Sequence, residues 1–285
     1  MIFCNLLFHN QKYPFIPMSR YIFIIILFLL GYTAVQAQRI NVFPTTVSYN
    51  VSRGSVQNQT IYITNPTTTK QVFQLNVADW IRNEDGSHTY FEANSQPFSC
   101  ANWVKLSTNL VDVEPGKTAE VVVTMQGSDK PEDFERMKWA MLFLQSVIEK
   151  KGEDANNQKV NTQIREVIRV GVHLYQTPAI LTQDAAQATA LEADSAELDT
   201  YWFKVANIGK TMVSCKAYLD LTETSTGQQY RSEITEFPMF PAGNRRVKLV
   251  IPNNVPKGKY SMLAILDYSE NASLEAVEKN IEIVN

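Results

Sequence analysis

The feature that most constrains the fold of this chain is a regular succession of short β-strand patterns, each ended by turn residues. After Gln38, segments rich in β-branched and aromatic residues recur roughly 10 to 15 residues apart. Turn signals such as Asn65-Pro66, Asp85-Gly86 and Pro115-Gly116 separate them, and no long amphipathic helix pattern interrupts them. The succession predicts an all-β protein built from β-sandwiches.

A break near Pro178 divides this succession into two sets of strands. The first set ends with a long alternating segment, and a small, acidic stretch follows before a second set begins with "YWFKVANIG". Each set is large enough for one sandwich. We therefore predict two β-sandwich domains in tandem, at residues 38–177 and 178–285.

The first 37 residues have the organisation of a leader and secretory signal peptide. Arg20 precedes an apolar run, and small residues follow, ending at Ala37. The run has about ten apolar residues, whereas a membrane span needs about 20, so we expect cleavage after Ala37 and no membrane span afterwards. The alternative is an anchor that is retained. The sequence leaves open whether translation starts at Met1 or Met18.

The composition limits the classes of partner, and the positions of the cysteines indicate whether they form a disulfide. Hydrophobic residues make up 45% and charged residues 19% of the chain, as expected of a protein with a packed core. The net charge of −3 and the lack of a strongly basic patch argue against nucleic acid as a partner. Cys100 and Cys215 could pair in an oxidising compartment. We favour two separate buried thiols, because they fall in different predicted domains and a disulfide needs Cα atoms within about 7 Å.

Motifs that carry catalytic or metal chemistry are missing from the sequence. His88 and His173 have no second histidine at metal-ligand spacing, and neither H-E-x-x-H, G-x-S-x-G nor a glycine-rich phosphate loop occurs. Carboxylates are scattered through turns. The sequence predicts a binding protein without a metal or cofactor, rather than an enzyme.

The long segment before the break, "IREVIRVGVHLYQTPAIL", is the strongest candidate for a binding site. Its even positions present one apolar face, interrupted by Glu166, and its odd positions carry cationic side chains. The apolar face is formed by Ile164, Ile168, Val170 and Val172. These side chains could pack inside their own sandwich or dock into a groove of a partner. The arginines could equally be solvated charges that protect an edge strand from aggregation.

A set of ordered motifs resembles the PapD-like periplasmic pilus-assembly chaperones. The motifs are "PTTVSYNV" and "IYITNP", the strand end Trp80-Ile81, "LVDVEPGKTAEVVV", "PEDFERMKWAMLFL" and "LYQTPAIL". The resemblance covers residues 39–181 well and the second domain only loosely. It implies two immunoglobulin-like domains, a location in the periplasm, and pilin-like or other surface-fibre subunits as partners, which an outer-membrane usher would receive.

The resemblance also implies roles for particular residues. The last strand of the first domain would donate alternate side chains, here Ile164, Ile168, Val170 and Val172, to a groove in the subunit. Family members anchor the subunit's terminal carboxylate with an arginine on the first strand and a lysine on the long strand. Those positions fall on Thr45 or Thr46 and on His173, none of them a permanent cation, so Arg169 is a candidate replacement. The alternative function is an exported structural or adhesive protein with two immunoglobulin-like domains and no client.

Overall fold

The computed structural model describes residues 40–151, 163–181, 183–269 and 273–284, without the side chains of residues 147–151 and 163–167. The expected signal peptide, its cleavage after Ala37 and both candidate start sites lie outside the described residues. Within the described ranges, no helix is long and apolar enough to cross a membrane.

The described chain is formed almost entirely of β-strands. The first ten are β1 (Asn41–Phe43), β2 (Thr46–Tyr49), β3 (Val56–Thr64), β4 (Gln71–Arg82), β5 (His88–Phe91), β6 (Val104–Leu106), β7 (Leu110–Val113), β8 (Thr118–Gln126), β9 (Lys138–Lys151) and β10 (Gln163–Gln176). The next eight are β11 (Ala186–Ala193), β12 (Thr200–Asn207), β13 (Val213–Glu223), β14 (Gln229–Arg231), β15 (Thr235–Met239), β16 (Asn244–Val250), β17 (Gly258–Asp267) and β18 (Glu275–Ile283). Two 3-10 turns lie at Ala101–Trp103 and Pro131–Phe134.

Strands β1 to β10 form a first sandwich of two sheets. One sheet has the order β1-β3-β8-β6, and the other has the order β2-β10-β9-β4-β5, with β7 also pairing with β4. Because side chains alternate along a strand, every second residue points between the sheets. Ile61 and Val123 of the first sheet thus share one core with Phe73, Leu144 and Val172 of the second.

Strands β11 to β18 form a second sandwich. Its sheets have the orders β11-β12-β16 and β14-β13-β17-β18, with β15 also pairing with β13. Phe203 and Val247 of the first of these sheets pack against Leu219, Met262 and other residues of the second. The all-β, tandem immunoglobulin-like architecture expected from the strand pattern and the resemblance is therefore confirmed. The domain bounds 38–177 and 178–285 stay a prediction.

The two cysteines lie in separate cores. Cys100 is fully buried in the core of the first sandwich, and Cys215 is buried in that of the second. Both thiols are free, which agrees with the expectation of two separate buried thiols.

A third apolar cluster joins the sandwiches, and we call it the junction. Strand β9 supplies Trp139, Met141 and Phe143, β4 supplies Trp80, and Phe240 from the second sandwich packs among them. Two backbone hydrogen bonds also connect the sandwiches: Met137 N–H donates to the Lys210 carbonyl at 2.8 Å, and Arg246 N–H donates to the Glu84 carbonyl at 2.9 Å. Residues 138–144 of β9 are therefore buried on both faces of the sheet, which explains the nearly continuous apolar sequence there.

Candidate functional site

Strand β10 carries a long open edge. On one side it pairs with β9 along its whole length, from Gln163 to Gln176. On the other side β2 pairs with it only from His173 to Gln176, in parallel. Within the described residues, positions 163–172 therefore have a strand neighbour on one side only.

The direction of the free backbone groups follows from the paired part of the strand. The N–H groups of His173 and Thr177 donate to the carbonyls of Thr45 and Tyr49, on the β2 side. Because these groups alternate in direction along a strand, the N–H and C=O groups of Arg169 and Gly171 point to the open edge. This edge can accept another strand through main-chain hydrogen bonds.

The apolar face of β10 becomes more exposed toward its open end. Val170 lies beside Leu144 in the sheet, and Ile168 lies beside Ser146. Leu144 and Ser146 of β9 are buried, whereas Val170 and Ile168 are half-buried. These two side chains therefore extend the apolar core to the margin of the sandwich, where a partner could cover them.

The structure corrects one of the four residues expected to dock into a partner. Val172 is 0% exposed and belongs to the core of its own sandwich. Its side chain cannot fill a groove in a partner without leaving that core. Ile164 has its backbone in β10, opposite Lys150, but its side chain lies outside the description. Ile168 and Val170 remain as the described candidates.

Arg169 is exposed on the opposite face of β10. Its guanidinium carbon lies 3.4 Å from the ring centroid of Phe143 and 5.8 Å from that of Tyr90. At the nearby Gly171, a Cβ atom would stand 2.7 Å from Sδ of Met141, so β10 lies close to β9 at this point. Stacking on aromatic rings holds the cation close to the open edge.

The structure brings His173 together with Thr45 and Thr46. Thr46 is paired with His173 across β2 and β10, and both threonines are exposed. The half-buried His173 ring has a lowered pKa, first because burial disfavours its charge and also because Arg82 is positive. His173 is therefore neutral near pH 7, and neither threonine supplies a charge.

The position of His88 of β5 beside this end of β10 could not be predicted from the sequence. The His88 ring centroid lies 4.6 Å from that of Trp80 and 5.8 Å from that of His173. Burial, Arg82 and His173 together lower the pKa of His88. The Asp85-Gly86 turn signal predicted a turn between two strands here. The alternation of "HTYF" does not predict which other strand the side chains of β5 contact.

Comparisons with known proteins find similar structures among fimbrial chaperones. The first is a chain in a complex of chaperone and tip adhesin of CFA/I fimbriae, with 8% identity and a TM-score of 0.48 over 85% of this chain and 98% of that chain. The class 5 fimbriae chaperone CfaA has 9% identity and a TM-score of 0.45, with the same coverage. A chain in the SafA pilin–SafB chaperone complex of Salmonella enterica has 14% identity and a TM-score of 0.42, over 86% of this chain and 99% of that chain.

No protein-family model and no curated protein sequence matches the chain. The chain is thus similar over most of its length to structures of fimbrial chaperones, at TM-scores below 0.5.

Proposed function

We propose that this protein is an exported, periplasmic chaperone that binds pilin-like or other surface-fibre subunits by β-strand addition at the open edge of β10. The observation that carries the proposal is the free edge at residues 163–172, which borders the half-buried side chains of Ile168 and Val170. The resemblance of the sequence motifs to those of PapD-like chaperones indicates the class of partner. Transfer of the subunit to an outer-membrane usher is the next step that this resemblance implies.

The physical basis is that an open edge offers two kinds of interaction at once. Free N–H and C=O groups provide main-chain hydrogen bonds to an incoming strand, and alternate side chains provide specificity. Ile168 and Val170 sit two residues apart, which is the spacing of neighbouring side chains on one face. A subunit whose own sheet lacks a strand would cover both groups and extend its core with them.

Binding the terminal carboxylate of a subunit requires a cation, and the candidate anchor residues differ in charge. His173 is neutral near pH 7 and packs against Trp80, and Thr45 and Thr46 carry no charge. Arg169 is permanently charged and exposed. We therefore assign to Arg169 the contact with a client carboxylate, and to His173 the positioning of the strand.

The test compares Val170→Glu with a control at an exposed valine on the outer face of the other sheet. Val122, which is 37% exposed, supplies the control Val122→Glu. Each variant is expressed with an affinity tag in the native bacterium and purified from the periplasm. Mass spectrometry identifies bound proteins, and thermal melting reports the fold.

We expect Val170→Glu to melt nearly normally and to lose its bound subunit, because a carboxylate at an apolar contact is costly to desolvate. Val122→Glu should keep the subunit. A bound subunit in both variants contradicts strand addition at β10. Wild-type protein that carries no fibre subunit at all points instead to a structural or adhesive protein.

A further inference from the structure

We propose that a binding site for a small oxyanion lies beside the junction. It is formed by Arg82 of the first sandwich and Arg245 of the second. Arg82 is the last residue of β4, and Arg245 lies in β16. The site lies on the β4–β5 side of the sheet, away from the open edge of β10. The inference does not rest on the function proposed above.

The two guanidinium groups converge on Gly86 in the β4–β5 turn. Arg82 Nη1 donates a hydrogen bond to the Gly86 carbonyl at 3.2 Å. From the other sandwich, Nη2 of Arg245 lies so close that a Cβ atom on Gly86 would stand 2.7 Å from it. Two cations, one from each sandwich, thus lie against the same residue.

Three other nitrogens of these arginines have no acceptor among the described residues. Arg82 Nε and Arg245 Nε and Nη1 are buried and find no hydrogen-bond partner in the part of the chain that the structure describes. Leaving buried charged donors without an acceptor costs free energy, and two such cations repel each other. An oxyanion between them would satisfy the donors and reduce the repulsion, as carboxylates and phosphates do when guanidinium groups bind them.

The acids of the same turn do not fill this role. The Asp85 carboxylate accepts hydrogen bonds from the N–H and the hydroxyl of Ser87. Its charge attracts Arg245, but among the described side chains it forms no ion pair with either arginine. Glu84 is exposed and likewise has no ion-pair partner among the described side chains. Both acids lower the positive potential nearby, so we expect a weak to moderate affinity for a singly or doubly charged anion.

Space for a ligand exists on both sides of the turn. A cavity of about 390 Å³ is lined by Arg82, with Arg136 on its wall, and a smaller one of about 100 Å³ is lined by Arg245. Both cavities share Glu84 and Asn244 in their walls. Each arginine side chain therefore borders a cavity lined by residues of both sandwiches.

The test measures binding of inorganic phosphate to the full mature chain. Phosphate replaces chloride at constant ionic strength and neutral pH, and calorimetric melting and isothermal titration follow the effect. We expect phosphate to raise the melting temperature of the wild type, since a ligand that binds only the folded state stabilises it. Arg82→Gln and Arg245→Gln should each weaken binding about tenfold or more.

The matched control is Arg246→Gln, one residue along β16. Arg246 is exposed, and its guanidinium carbon lies 4.1 Å from the ring centroid of Trp202, so this variant should bind phosphate like the wild type. Repeating the titration with acetate separates a carboxylate ligand from a tetrahedral one, and binding of either anion through Arg82 and Arg245 supports the site.

A measurement on the wild type covers the case in which a variant does not fold. In nitrogen-15 NMR spectra, the Nε–H signals of Arg82 and Arg245 should shift when phosphate is added, and that of Arg246 should not. The proposal is overturned if neither phosphate nor acetate stabilises the protein or shifts those signals. It is also overturned if both glutamine variants bind as tightly as the wild type.

Discussion

His173 of β10 meets Trp80 of β4 edge to face, with ring centroids 5.0 Å apart and planes inclined at 69°. Trp80 is fully buried and also contacts His88 and Phe240. One indole therefore touches the candidate binding strand, the β4–β5 hairpin and the second sandwich. The end of β10 is held by the junction, whereas the part from residue 163 to residue 172 has a free edge.

The histidine pair predicts a loss of stability in acid. Both His88 and His173 have a pKa lowered from the ordinary value of 6.5 in the folded protein. The unfolded chain then binds protons first as the pH falls. Their contribution to stability is therefore complete above pH 6.5, and it is lost as the pH falls through the folded pKa values. Thermal melts between pH 8 and pH 5 should show this, and the double variant His88→Gln/His173→Gln should have a smaller pH dependence. An unchanged dependence in that variant would assign the effect to carboxylates.

Gly86→Ala should destabilise the junction by two separable effects. Gly86 has a φ of +91°, and a new Cβ atom would collide with Nη2 of Arg245. Gly227→Ala is the matched control, because Gly227 has a φ of +75° but nothing within 4 Å of an added Cβ. The control should lose about 1 kcal/mol from backbone strain alone. Denaturant unfolding should show a clearly larger loss for Gly86→Ala. Equal losses would mean that Arg245 moves aside without cost.

Phe240→Ala should uncouple the two sandwiches. Phe240 is 5% exposed, and its ring centroid lies 5.0 Å from that of Trp80 and 4.9 Å from that of Trp139. Removal of a buried phenylalanine side chain costs about 3–5 kcal/mol, and here it removes contacts between the sandwiches. Calorimetry should resolve two unfolding transitions for Phe240→Ala, and a single transition is expected for the wild type. Phe203→Ala, in the core of the second sandwich, should lower the stability of that sandwich while leaving its contacts with the first in place. A single transition for Phe240→Ala would show that the backbone hydrogen bonds are sufficient for coupling.

Val172→Asp should unfold the first sandwich. The side chain of Val172 is completely buried, and an unpaired carboxylate in an apolar core costs several kcal/mol. Circular dichroism and thermal melting of the purified variant measure the loss, with Val122→Asp on the exposed outer face as the control. A well-folded Val172→Asp protein would show that this part of β10 can leave the core, and would return Val172 to the docking face.

The strand pattern was sufficient to predict the tandem sandwiches, because period-2 alternation and turn residues are local properties. The same alternation placed Ile168, Val170 and Val172 on one face, which is correct. It could not show that Val172 lies deep in the core and Val170 at its margin, because burial depends on which strands of the opposite sheet extend that far. The meeting of Arg82, Gly86 and Arg245 was missed because these residues come from different sandwiches.

The short β2 strand has a consequence for the alignment of any partner. Thr45 and Thr46 occupy the side of β10 at His173, so a strand added along residues 163–172 ends where β2 begins. The free ladder is about 33 Å long at the usual rise per residue. In the proposed strand addition, β2 would therefore limit how far an incoming strand extends along β10. It would restrict the register of that strand before side chains select among neighbouring positions.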